Sequence, residues 1–259
     1  MSGALLSHEA RQRVPGAAVL AVILAAFGLL ALVIADVIGD LLAAITEGMP
    51  PAFDIFLGAN APGGYAVGEM FSLIFPVSVV TFAVIVGAGA LAGEERDGTM
   101  AILSAQPVSR IRLFWAKALG VLGAVILVVA VNWAAMGLFI ASRASELTFA
   151  GLTGATVHLL FLGLAFGSIA FAVAGATGKP ALGSAAAGGL AVASYLAATM
   201  LPIAGLTDWA RLSPWHYYLG HSDPLRDGVN VGDVGLFAAI VVVCMSVAVV
   251  VFRRRDLEG

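Results

Sequence analysis

Residues 14–35 read VPGAAVLAVILAAFGLLALVIA, without one charged side chain. About 20 apolar residues in a helix cross the roughly 30 Å of hydrocarbon in a bilayer, and this run reaches that length. Twelve of its residues are Val, Ile, Leu or Phe, each favouring insertion by about 0.3–0.6 kcal/mol at mid-membrane. That outweighs Pro15 and Gly16 at the edge. A strand is excluded because backbone exposed to lipid must satisfy its own hydrogen bonds, and the run lacks the alternating faces of an outer-membrane barrel. Arg11 and Arg13 ahead of it resemble the start of a signal peptide. The apolar core exceeds the usual 7–15 residues or so of such a peptide, so an uncleaved anchor is expected.

Five further stretches repeat the pattern, at 70–93, 118–142, 150–177, 181–203 and 234–252. The sequence therefore predicts an all-α membrane protein with six transmembrane helices in a single domain over 1–259. Composition agrees: 61% of residues are hydrophobic and 11% charged, against about half and a quarter in soluble proteins. The single cysteine, Cys244, can form no intrachain disulfide and reads as packing. A net charge of -3 and the lack of a basic, aromatic-rich stretch argue against a nucleic-acid partner.

Lys and Arg set the orientation. With the N-terminus cytoplasmic, the inner side collects Arg11, Arg13, Arg96, Arg110, Arg112, Lys117, Lys179, Arg253, Arg254 and Arg255, while the outer side holds Arg143, Arg211 and Arg226. This is the positive-inside pattern, and six crossings return the C-terminus to the cytoplasm.

The connections differ in character. Thr177 to Pro180 is a tight inner turn; Gly178-Lys179 fails as a phosphate loop because Val173 replaces its first Gly and Pro180 its Ser or Thr. The first outer connection, Asp36 to Glu69, starts as a helix at 40–45, passes Pro50-Pro51 and a Gly/Asn/Pro loop, and is expected to fold back on the outer surface. The last, Ala204 to Asp233, gathers Trp209, Trp215, His216, Tyr217 and Tyr218 around Pro214, which suits rings at headgroup depth or, alternatively, ligand recognition. Gly163 and Gly167, and Gly183, Ser184, Gly188 and Gly189 in the next span, let helices approach closely, within the chain or in a dimer. Asn132 and Pro76 read as an interhelical hydrogen bond and a tolerated kink. With no acid or base deep in a span, a proton relay is disfavoured.

The inner connection between spans 2 and 3 carries the functional signal. It runs Gly93-Glu94-Glu95-Arg96-Asp97-Gly98-Thr99-Met100, then Ala101-Ile102-Leu103-Ser104-Ala105-Gln106, and closes Pro107-Val108-Ser109-Arg110. Met100 and Leu103 share a helical face, Pro107 ends the turn, and Ser109 can cap span 3. A short amphipathic helix on the inner membrane surface is expected. The Gly-Glu-Glu, Arg, Gly-Thr, aliphatic and Pro-Val-Ser-Arg series closely resembles the permeases of the ABC-2 family of ATP-binding-cassette transporters. The likeness extends over nearly the whole chain, through Lys117, the segment 212–225 before span 6, and the closing Phe252-Arg253-Arg254-Arg255-Asp256.

That resemblance implies a permease subunit of an exporter in a prokaryotic cell (inner) membrane, with a re-entrant or interfacial segment before span 6. It implies a second permease copy or a related permease, and two separate ABC ATPase subunits. ATP and Mg would sit on those partners, with no cofactor or metal in this chain. The coupling residues would be Glu94, Glu95, Arg96, Gly98, Thr99, Leu103, Pro107, Val108, Ser109 and Arg110, docking on the ATPase together with the basic N-terminal helix. A cargo path between spans 2 and 5 of facing subunits would offer Phe71, Phe75, Ser78, Phe82, Tyr195, Thr199 and Met200, a lining suited to a lipophilic or amphiphilic molecule.

Catalytic readings fare worse. Glu94-Glu95 suggests an intramembrane protease, but Thr99 stands where that motif needs Arg. His8-Glu9 is followed by Gln12 where a zinc pair needs His. Ser168 lacks a facing histidine in the sequence pattern and reads as packing. An ATP-independent membrane assembly factor is the alternative from another class.

Overall fold

The computed structural model describes residues 3–46, 62, 64–96, 109–142 and 146–254. Among these, every regular element is helical, and six helices are long and apolar enough to cross a membrane. Span 1 lies within Gly3–Thr46, span 3 within Arg110–Ser142, span 4 within Phe149–Thr177, span 5 within Pro180–Ile203 and span 6 within Val231–Arg254. Several helices overrun the uncharged windows of the sequence. Charged flanks such as Arg110 and Arg112 end the apolar run without ending the helix, because Arg is a good helix former once it reaches water.

Span 2 is built differently. It begins at Gly64–Glu69, widens into a π-helical stretch at Met70–Ile74 and continues as Phe75–Arg96. Pro76 is the physical reason: it brings no N–H, and its ring crowds the carbonyl four residues back. The Phe75 N–H turns to the Met70 carbonyl. Pro76 cannot supply the next bond of that wider pattern, so the Phe71 carbonyl loses both of its local donors.

Span 4 is the centre of the bundle, packed against spans 2, 3, 5 and 6. In its membrane window 61% of residues are buried, against 11% for span 6. Small residues allow this. A methyl on Gly87 of span 2 would strike the Gly167 carbonyl oxygen, and one on Gly163 would come within 2.8 Å of Val79. The glycines of span 4 thus serve a contact within the chain. Thr148 caps the start of span 4 by accepting the Gly151 N–H, and Gly178 ends it at φ 70°, a left-handed conformation that glycine adopts without strain. Pro180 then opens span 5, giving the tight turn expected there. Spans 1 and 3 form the second large pairing. A separate apolar cluster of Phe114, Phe171, Phe252 and Leu91 fills the end of the bundle near Arg110, with Phe114 meeting Phe171 edge-on at 5.2 Å.

Candidate functional site

The coupling residues divide across the boundary of the described residues. Gly98, Thr99, Leu103, Pro107 and Val108 lie outside them. Glu94, Glu95 and Arg96 continue the helix of span 2. Ser109 opens span 3: its carbonyl accepts the N–H groups of Arg112 at 2.9 Å and Leu113 at 3.1 Å. Arg110 follows as the first helical residue, exposed.

Within the helices on either side of these residues lies an ionic cluster that the sequence did not announce. Lys117 Nζ meets Glu9 Oε1 at 2.6 Å, while Arg13 donates to Glu9 Oε2 from Nε at 3.2 Å and from a terminal nitrogen at 2.9 Å. Arg13 also donates to the Val86 carbonyl of span 2 at 3.3 Å. Lys117 and Glu9 are 1% and 3% exposed. Burial at this depth is tolerated because each charge is paired and hydrogen-bonded. Gly120 leaves the room, since a methyl there would come within 3.1 Å of Glu9. Glu9 thereby ties the N-terminal helix to span 3 and Arg13 ties it to span 2, and Lys117 lies about 10 Å along its helix from Arg110 at 1.5 Å per residue.

The seven cargo-path residues do not share one surface of the chain. Phe71 and Phe75 are buried and stack edge-on at 5.0 Å. Thr199 is also buried, its hydroxyl donating to the Tyr195 carbonyl at 2.9 Å. Ser78, Phe82 and Tyr195 are half-buried, and Met200 is exposed. A groove of about 310 Å3 does run between spans 2 and 5, lined by Val77, Thr81 and Ile85 on one side and Ser184, Val192 and Tyr195 on the other. Of the seven, Tyr195 alone lines it. Positions 77, 81 and 85 follow one face of the helix and 75, 78 and 82 a neighbouring one, while Val79, Ala83 and Gly87 meet span 4.

The segment before span 6 folds as three short helices, Thr207–Ala210, Pro214–Leu219 and Pro224–Asp227, seated on the bundle. Trp215 and Tyr218 are buried rather than interfacial; Trp215 packs against Tyr195 at 5.0 Å and Phe166 at 6.1 Å. Trp209 stays exposed, as a headgroup ring would. Ser213 donates to the Ser194 carbonyl at 2.6 Å, and Tyr218 to the Phe71 carbonyl at 2.7 Å. Burial pushes the Tyr218 phenol above its ordinary range, so the hydroxyl keeps the proton it donates. Asp233, 1% exposed, accepts from His221 Nδ1 at 2.7 Å and Ser222 Oγ at 2.6 Å. The segment is thus fastened to spans 2, 5 and 6. His158, inside span 4, is fully buried with Nδ1 2.8 Å from the Gly154 carbonyl.

Six apolar crossings, a charged connection between the second and third, and a folded segment seated before the sixth define a multi-pass helical membrane protein. Residues 3–257 match the family described as ABC-2 family transporter protein, and the chain belongs to that family. Comparison with the curated proteins gives no match. Membership makes the chain the transmembrane part of an ABC transporter and implies pairing with an ABC ATPase subunit.

Proposed function

We propose that this chain is the permease of an exporter for a lipophilic or amphiphilic molecule, working as a permease pair with two separate ATPase subunits in a prokaryotic cell membrane. The groove between spans 2 and 5 carries the reading. It is almost wholly apolar, with Thr81, Ser184 and Tyr195 supplying hydroxyls, and Val77, Ile85 and Val192 stand exposed along it. Such a surface favours an apolar chain over a hydrated ion. A facing permease would close it.

The energy would enter through residues 94–110. Both helices leaving that connection are fixed to the N-terminal helix, through Arg13 to the Val86 carbonyl and through Lys117 to Glu9. ATPase closure would then bias a two-state arrangement of the spans.

Co-purification of the full chain with ABC ATPases of the same cell, followed by transport in vesicles, tests this reading. An ATPase should come down with the permease, and ATP should drive an amphiphile outward. Charge reversal at Glu94 and Glu95, or Leu103→Asp, should leave insertion intact and uncouple hydrolysis from transport. Retention of an unrelated client without nucleotide dependence would favour the assembly-factor reading, and movement of hydrophilic ions alone would remove the cargo class.

A further inference from the structure

His216 and His221 meet on the face of the Pro214–Leu219 helix opposite the buried Trp215 and Tyr218. Their ring centroids are 6.0 Å apart, and both line a hollow of about 550 Å3 together with Arg211, Tyr217 and Gly220. Two imidazoles bound to one ion, at about 2.0–2.1 Å per metal–nitrogen bond, place their centroids about 5–6 Å apart. The backbone holds the pair together, because the N–H groups of Gly220 and His221 both end on the His216 carbonyl at 2.9 Å.

The second observation lies behind His221. Its Nδ1 meets the Asp233 carboxylate, which is itself buried and fixed by Ser222. A carboxylate only accepts, so Nδ1 donates to it and Nε2 is the nitrogen left for a ligand. This carboxylate-to-histidine arrangement orients a ligating imidazole and raises its basicity.

Charge decides between a cation and an anion. From Ala204 to Asp233 the chain carries Asp208, Asp223, Asp227 and Asp233 against Arg211 and Arg226, two positive minus four negative, or -2 with neutral histidines. Both arginines are already paired, Arg211 with Asp208 at 3.5 Å and Arg226 with Asp223 at 3.0 Å. Arg211 lines the hollow, and its pairing with Asp208 offsets the positive charge that a cation would meet there.

We propose that His216 and His221 form a two-histidine site for a divalent late first-row transition metal ion, such as Zn2+, Ni2+ or Cu2+. Imidazole suits these ions. Among the described residues no third His, Cys, Asp or Glu completes the set, so water fills the remaining positions. The bound ion bridges the end of the Pro214–Leu219 helix to the turn that Asp233 anchors on span 6, and stabilises the folded segment by mass action. Nothing in this site depends on the ATPase.

The test uses the full chain in nanodiscs, free of any histidine tag and without a partner. Titration with Zn2+ should show one ion per chain, and the Cu2+ form should show two coupled nitrogens by electron paramagnetic resonance. His216→Gln and His221→Gln should each weaken binding at least about tenfold, and Asp233→Asn about tenfold or more; His8→Gln should not. Independently of any variant, Zn2+ should protect His216 and His221 together from diethyl pyrocarbonate. Loss of binding on His8→Gln alone, a single coupled nitrogen, or protection of neither or only one histidine would overturn the site.

Discussion

The Tyr218 hydroxyl supplies the hydrogen bond that Pro76 denies to the Phe71 carbonyl. The Phe75 N–H is committed to Met70, position 76 has none to give, and Tyr218 reaches in at 2.7 Å from 147 positions away in the chain. A defect in span 2 has thereby become the docking point for the segment before span 6.

Tyr218→Phe should therefore destabilise the protein by about 1–3 kcal/mol, the cost of a buried acceptor left unsatisfied, although the lost volume is one oxygen. Thermal unfolding in detergent measures it. Pro76→Ala restores an N–H five residues beyond Phe71, so the double variant should lose less than the sum of the two single effects. Strict additivity would show that the carbonyl finds no donor in that background.

The Glu9, Arg13 and Lys117 cluster makes a second prediction. Glu9→Gln leaves Lys117 buried beside a neutral group and should cost roughly 3–5 kcal/mol, as removal of one member of a buried pair does. Lys117→Met together with Glu9→Gln removes both charges and should recover much of that loss. A double-mutant cycle on unfolding free energy reads the coupling. Independent effects would mean that the 2.6 Å contact contributes nothing specific.

The six crossings were legible because hydropathy over about 20 residues is a local property of the chain. The turn at Gly178 and Pro180 was legible for the same reason. Partners across the bundle were not: Glu9 and Lys117 are more than a hundred positions apart, Lys117 directly before one uncharged window and Glu9 in the charged stretch ahead of another, so the sequence reads them as solvated flanks. Asp233 was hidden likewise, one residue before the window of span 6. Trp215 and Tyr218 looked interfacial because their composition is that of headgroup rings, and only the fold turns that face of the helix inward. The groove between spans 2 and 5 is lined by 77, 81 and 85 and not by 78 and 82, which periodicity could not specify because it gives the faces of a helix without saying which neighbour each one meets.

Close approach of spans 2 and 4 yields a third prediction. A methyl at Gly87 would collide with the Gly167 carbonyl oxygen, a backbone atom that cannot rotate away, whereas one at Gly188 or Gly189 meets nothing within 4 Å. Gly87→Ala should destabilise by about 1–3 kcal/mol through overpacking, and Gly188→Ala should be tolerated. Thermal unfolding of the two variants side by side checks this. Equal behaviour would place the close contact elsewhere.

His216 gives the last prediction, and its sign follows from linkage. Burial, then His221 and Arg211, lower its pKa from the ordinary 6.5, so the unfolded chain takes up a proton at a pH where the folded chain still refuses one. Stability from the neutral ring is fully present above about pH 6.5 and is lost as pH falls from there toward the folded value. His216→Gln, which cannot titrate, should flatten that part of the pH dependence while leaving stability at pH 8 nearly unchanged. Unfolding midpoints between pH 8 and pH 5, taken in a chelating buffer so that no metal ion competes for the ring, measure the slope. An identical slope in both proteins would assign the acid sensitivity of the segment to other groups.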